Sequence, residues 1–158
     1  MSQTDDRLRF DNLEGQIGDQ RLDQEESFVN LGWYLLDYFS YGRWSFSAGV
    51  RQDFNWLNAD DNFLIDGDDS GDINLINWRY HAGAGYELTP SLQIFADHAT
   101  NFETPTLNQL SNRPDNSGGF EDLKAATASS FEVGFKWARK NFNIELVGFI
   151  INTENELV

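Results

Sequence analysis

Ser130-Phe131-Glu132-Val133-Gly134-Phe135-Lys136-Trp137 is the stretch whose reading decides the fold. From Phe131 every second residue is Phe, Val, Phe or Trp, and the residues between are Glu, Gly and Lys. A period of two sends successive side chains to opposite sides of a strand, so one face is apolar and aromatic and the other charged. Upstream, an alternating strand ending in Ala82-Gly83-Ala84-Gly85-Tyr86 turns at Thr89-Pro90-Ser91 into another strand. That strand opens at Asn101-Phe102-Glu103-Thr104-Pro105-Thr106-Leu107 into a long polar loop leading to Ser130.

The same alternation extends in both directions. Residues 74–88 set Trp78, Tyr80, Ala82, Ala84, Tyr86 and Leu88 against Asn77, Arg79, His81, Gly83, Gly85 and Glu87. Residues 43–57 set Trp44, Phe46, Ala48, Val50 and Phe54 against Arg43, Ser45, Ser47, Gly49, Arg51, Asp53 and Asn55. Residues 26–39 set Val29, Leu31, Trp33, Leu35 and Phe39 against Asn30, Gly32, Tyr34 and Tyr38, with Asp37 interrupting the apolar side. Ser40-Tyr41-Gly42 reads as a tight turn in which Gly42 is free to take positive φ. Residues 58–72 read as an acidic loop with six aspartates, and residues 7–12 as the end of a strand, followed by a Gly/Asp/Gln-rich loop to about Glu25. Residues 91–100, 126–138 and 142–154 complete seven strand segments. Short turns at 40–42, 88–91 and 139–141 then fall at one end of the strands and loops of about a dozen residues or more at the other.

Two architectures offer antiparallel strands with one apolar face. A soluble sandwich or small barrel packs that face inward and uses strands of about five or six residues. An outer-membrane barrel turns it outward into lipid over roughly ten residues and lines its lumen with the polar face. The strand lengths favour the second. So does the placement of Tyr38, Tyr41, Trp44, Tyr86, Trp137 and Phe142 beside the three short turns, where headgroups attract Trp and Tyr. Gly32, Gly49, Gly83, Gly85 and Gly134 on the polar side suit a lumen better than a packed core. The expected fold is all-β, an antiparallel up-and-down transmembrane β-barrel segment; a soluble ligand-binding β-barrel and a stand-alone small outer-membrane barrel for adhesion or anchoring are the alternatives.

Composition removes other classes. The chain has 158 residues, 40% hydrophobic and 15% aromatic, which argues against disorder. With 26 acidic against 11 basic residues it lacks the basic footprint of a nucleic-acid binder. Without cysteine it forms neither disulfides nor thiolate metal sites. The longest apolar run, Leu146 to Ile151, falls far short of the roughly 20 residues of a membrane helix. Met1-Ser2-Gln3-Thr4-Asp5-Asp6 lacks the basic start and apolar stretch of a signal peptide.

Arg51, Asp53, Arg79, Glu132 and Lys136 all project from the polar face in this register. They are the candidate substrate-binding residues, with a ladder of charge pairs that holds strands together as the plainer reading. Asp66-Gly67-Asp68-Asp69-Ser70-Gly71-Asp72-Ile73 matches the opening of a calcium loop, but position twelve is Asn77 rather than a bidentate glutamate, so a solvated acidic loop is the simpler reading. His81 is placed on the polar face and His98 on the apolar one, neither with metal-ligand spacing. No nucleophile elbow or metal-binding helix motif is present, so neither an enzyme nor a cofactor is expected.

Taken together, several short motifs resemble the barrel of a TonB-dependent outer-membrane receptor. They are Gly49-Val50-Arg51-Gln52-Asp53, Gly85-Tyr86 with Thr89-Pro90-Ser91-Leu92, Phe95-Ala96-Asp97, and Phe102 to Leu110. Gly119-Phe120, Leu123-Lys124-Ala125, Phe131 to Lys136 and Asn152 to Val158 complete the set. Their order and spacing match over about residues 26–158. The resemblance implies a 22-strand barrel of the Gram-negative outer membrane, filled by a plug domain, that imports a scarce nutrient with energy relayed by TonB. It implies a ferric siderophore or similar small nutrient as cargo, and contact with outer-membrane lipid and lipopolysaccharide, with the plug and with the TonB complex. Residues 1–158 would then be part of the barrel, with plug and C-terminal strands absent. Haem receptors resemble one another in a Phe-Arg-Ala-Pro box followed by a ligand histidine; here the box reads Phe102-Glu103-Thr104-Pro105 and residues 107–125 hold no histidine, which argues against haem.

Overall fold

A computed structural model describes residues 1–65, 67–111 and 123–155. One seven-stranded sheet contains β1 (Ser2–Leu13), β2 (Gln16–Tyr41), β3 (Trp44–Asp61), β4 (Gly71–Thr89), β5 (Leu92–Glu103), β6 (Ala126–Arg139) and β7 (Phe142–Glu154), ordered in space as in sequence. The short helix α1 (Leu107–Ser111) lies in the connection between β5 and β6. Among the described residues no helix is long and apolar enough to cross a membrane.

The strands divide between two compact units. Unit 1 comprises Met1–Leu31, Asp53–Ile76 and Thr104–Ala125; unit 2 comprises Gly32–Gln52, Asn77–Glu103 and Ala126–Val158.

Unit 1 departs from the sequence reading at its start. The stretch expected as a loop to Glu25 is strand, and β1 and β2 pair from Ser2↔Val29 to Leu13↔Gln16 around a two-residue turn. Glu14 (φ 53°) and Gly15 (φ 89°) both occupy the left-handed region, as a primed hairpin turn requires, and the Gly15 N–H donates to Asn12 Oδ1 at 2.8 Å. The alternation of long loops and short turns therefore fails here. Beyond the short alternation of Leu8 and Phe10 with Arg7, Arg9 and Asp11, the faces of this hairpin are mainly polar, so little hydrophobic period marks it. Backbone pairing and two ion pairs hold it instead: Arg7 Nη1 to Glu26 Oε1 at 2.7 Å and Arg21 Nη2 to Asp11 Oδ2 at 2.6 Å. The acidic connection is also shorter than expected, because β3 continues to Asp61 and β4 begins at Gly71.

A small apolar core lies in unit 1. Leu57, Ile73 and Leu110 are buried together, with Phe28, Leu75, Leu107 and Leu123 packed around them. Gln109 begins α1 by folding its amide back: Oε1 accepts the Thr106 N–H at 2.8 Å and the Thr106 hydroxyl at 3.0 Å. That contact satisfies a backbone donor the first helical turn leaves open, one half of a capping box.

Unit 2 holds the three short turns and no comparable core. Gly85 is its only buried residue among those described. The apolar side of its strands is exposed instead: Leu35 is 66%, Val133 54% and Leu146 62% accessible. Aromatic rings gather on that side near the turns, with Trp44 and Tyr86 4.7 Å apart, Phe39 and Phe46 4.8 Å, and Trp137 and Phe142 5.0 Å between centroids. A further group forms at Trp33, whose indole N–H donates to Gln52 Oε1 at 2.8 Å and whose ring meets Trp78 edge-on at 5.6 Å. Tyr38 corrects the expected girdle, because it lines a concavity with Ser45, Ser47 and Gly83 on the polar side.

Candidate functional site

Register alone assembles the polar face of unit 2. The ladders of β4, β5, β6 and β7 align four rows: His81, Ala99, Ser130, Ile151; Gly83, Asp97, Glu132, Phe149; Gly85, Phe95, Gly134, Val147; and Glu87, Gln93, Lys136, Glu145. The intervening rows carry the apolar side, for example Tyr86, Ile94, Phe135 and Leu146. Apart from Phe95 on β5, this face is polar or small as far as β6, and it becomes apolar on β7 at Val147, Phe149 and Ile151.

Glycine lets side chains reach across a strand on this face. Gln93 of β5 donates from Nε2 to Ser45 Oγ of β3 at 3.2 Å, passing over β4 at Gly85. A Cβ on Gly85 would lie 2.6 Å from both Gln93 Nε2 and Ser45 Oγ, so any side chain there breaks the crossing.

Of the five candidate residues, Arg51, Arg79, Glu132 and Lys136 belong to unit 2 and Asp53 to unit 1. Arg51 and Arg79 line a concavity of about 630 Å³ in unit 2, together with His81, Tyr34 and Asn101. The Arg79 guanidinium also stacks over the Phe102 ring at 4.4 Å. Asp53 falls in unit 1, where it is 1% accessible and accepts a hydrogen bond from Asn30 Nδ2 at 3.3 Å. Asn30 Nδ2 lies closer to Asn55 Oδ1, at 2.7 Å. Glu132 and Lys136 occupy β6 four residues apart and both are exposed. Lys136 Nζ reaches Glu145 Oε1 of β7 at 3.3 Å and sits 5.0 Å above the Phe95 ring. Glu132 stands directly opposite Asp97, two carboxylates on one face.

Asp97 entered the sequence reading only through the Phe95-Ala96-Asp97 motif and not as a candidate binding residue, yet two polar-face side chains meet it. His81 Nε2 approaches its Oδ1 at 3.4 Å, and Glu132 is its register partner. The available signal was parity, since Asp97 falls on the polar side of its strand. His81 thus meets a carboxylate, and His98 Nε2 lies 3.0 Å from Ser129 Oγ on the other side.

The acidic connection uses its own oxygens. Asp61 Oδ1 accepts the Phe63 N–H at 2.9 Å and Oδ2 the Asp69 N–H at 3.2 Å, while Ser70 Oγ accepts the Asp61 N–H at 2.9 Å. Hydrogen bonds from Ser70 hold the Asp68 carboxyl below its ordinary range. Among the described residues no group of three or more acidic or histidine side chains could hold a metal ion. Asp66, Gly119-Phe120 and Glu156 to Val158, which entered the sequence reading, lie outside the described residues.

Comparison with known proteins follows the same outline. The family model described as TonB dependent receptor-like, beta-barrel, matches residues 2–158. Among solved structures, the ferric citrate transporter FecA in its unliganded form matches with a TM-score of 0.77 at 20% identity, over 96% of this chain and 23% of its own. The siderophore receptor PiuA from Acinetobacter baumannii gives a TM-score of 0.67 at 23% identity, over 83% of this chain and 20% of its own. The ferric yersiniabactin uptake receptor FyuA from Yersinia pestis gives 0.65 at 17% identity, over 86% and 22%. At such identities the likeness is one of fold, and the chain spans about a fifth to a quarter of the length of these receptors.

Proposed function

Since the chain belongs to the TonB-dependent receptor β-barrel family, we propose that it forms part of the wall of a Gram-negative outer-membrane importer. The cargo is a scarce nutrient of the ferric-siderophore kind, and the energy comes through TonB. The family is one of receptors and transporters rather than enzymes. The observation that carries the reading is the inverted solvent preference of unit 2, whose large apolar side chains are exposed while its opposite face is polar and glycine-rich. Exposed apolar surface on this scale calls for a solvent other than water.

On this reading the apolar side of unit 2 lies against outer-membrane lipid and lipopolysaccharide, and unit 1 meets the external medium. Arg51, Arg79, Glu132 and Lys136 face an aqueous lumen, where they contact cargo or the plug domain that fills such barrels; Asp53, buried in unit 1, holds Asn30. β1 and β7 pair on one side only within this sheet, and in lipid an unpaired strand edge would leave backbone groups without partners. We therefore read the chain as a portion of a larger barrel, working together with a plug and the TonB complex.

Two measurements test this. Cells producing the receptor that carries these strands should hold it in the outer-membrane fraction, with an electrophoretic mobility that changes on heating, and should take up ⁵⁵Fe-siderophore only when TonB is present. A protein recovered folded from the soluble fraction, or iron uptake indifferent to deletion of TonB, would overturn the reading.

A further inference from the structure

Unit 1 contains a cavity of about 380 Å³, within the size range of small-ligand pockets. Its lining divides by chemistry. Phe28, Leu57 and Leu107 supply apolar surface, while Asp5, Arg7 and Glu26 supply charge. Asp5 and Glu26 are direct register partners on β1 and β2, so two carboxylates stand side by side, which is unfavourable unless a cation joins them. Arg7 binds Glu26 at 2.7 Å, whereas Asp5 makes no side-chain hydrogen bond or ion pair among the described residues. An anion entering the cavity would have to displace Glu26 from Arg7. A cation would meet a carboxylate with no such bond to break.

The wider field acts in the same sense. Unit 1 holds 18 of the chain's 26 acidic residues and 5 of its 11 basic ones, a net −13 out of −15. Such a field attracts cations and repels anions before contact.

We infer that this cavity binds a cationic amphipathic small molecule. Its ring or chain lies against Phe28, Leu57 and Leu107, and its ammonium or guanidinium group sits beside Asp5 and Glu26. A role for this binding in uptake rests on the importer reading above, and the cargo is then of this charge class rather than a polyanion. Binding itself does not depend on transport.

Tryptamine and indole-3-acetate test the inference, because they share a ring and differ in charge. Titration calorimetry on the receptor that carries these strands, purified in dodecyl maltoside micelles with its β-structure verified by circular dichroism, should show tryptamine binding at least tenfold more tightly. Asp5→Asn, a change at an exposed side chain, should weaken tryptamine about tenfold, the scale of one charge-assisted hydrogen bond. Glu26→Gln should weaken it similarly. Asp19→Asn removes an exposed carboxylate outside the cavity and should leave binding within about twofold, as expected for a distant, screened charge. Equal binding of the two indoles, or no loss in Asp5→Asn, would overturn the proposal. So would a loss in Asp19→Asn as large as that in Asp5→Asn, because only the general field would then be acting. A failure here leaves the uptake measurement intact, and a failure of TonB-dependent uptake leaves this binding intact.

Discussion

In unit 1, Leu107 and Leu110 of α1 pack onto Phe28, Leu57 and Ile73, whereas in unit 2 Leu35, Val133 and Leu146 stand exposed and Gly85 alone among the described residues is buried. β2, β3 and β4 contribute residues to both units, so one strand serves two patterns of burial. Unit 1 hides Leu57, Ile73 and Leu110 under polypeptide, as water demands, although Leu13, Ile17, Leu64 and Ile65 stay exposed. Unit 2 presents them and keeps its polar groups on the other side, as lipid around an aqueous lumen demands. The same two-residue period supports both; what changes is the solvent each face requires.

The largest effect is expected at the unit 1 core. Leu110→Ala removes a side chain with no accessible surface and should cost about 2–5 kcal/mol, the range for a buried Leu. Hydrogen exchange should accelerate at residues 107–111 and at Leu57 and Ile73 while the β5–β6 ladder keeps its protection. Loss of protection in both units together would erase the distinction between them.

Val133→Arg comes next. A cation on the lipid side should oppose membrane insertion by about 2–4 kcal/mol near the bilayer midplane, read as a reduced folded fraction in vesicles. If unit 2 lived in water the same change would be tolerated, since Val133 is already exposed.

Gly85→Ala should cost about 0.5–1.5 kcal/mol, the worth of one hydrogen bond, because its Cβ turns aside the free ends of Gln93 and Ser45. In a Gln93→Ala background, where that bond is already gone, the same change should add no cost.

The smallest effect concerns pH. The hydrogen bond from Arg21, more than its charge, holds the Asp11 carboxyl below its ordinary 3.8. A carboxyl lowered on folding contributes stability above its unfolded value and loses it as pH falls through the lower folded one. Protection at the tip of the β1–β2 hairpin should therefore hold from neutrality to about pH 4 and decline below that, a decline Asp11→Asn should remove.

How much was legible follows the same division. The strands of unit 2 were readable because lipid enforces an uninterrupted apolar face: residues 126–138 and 142–154 were expected as strands, and β6 and β7 occupy Ala126–Arg139 and Phe142–Glu154. The hairpin of unit 1 was readable only at residues 7–12, expected as the end of a strand; nearer its open end Asp5 faces Glu26 on one side and Asp6 faces Glu25 on the other, leaving no hydrophobic period to read. Its turn is Glu14-Gly15, which lacks the Asn-Gly or Asp-Gly signature. For the polar face, parity gave the directions of Glu132 and Lys136. Their partners Asp97 and Glu145 depend on register across strands, which no single strand encodes.

The absence of cysteine makes the central claim directly measurable. Single cysteines at positions 131, 132, 133 and 136, each spin-labelled in reconstituted vesicles, report collisions with lipid-soluble oxygen and with a water-soluble nickel chelate. Labels at 131 and 133 should favour oxygen and those at 132 and 136 the chelate. Equal access to the chelate at all four positions, or the reverse alternation, would contradict the placement of the apolar side in lipid.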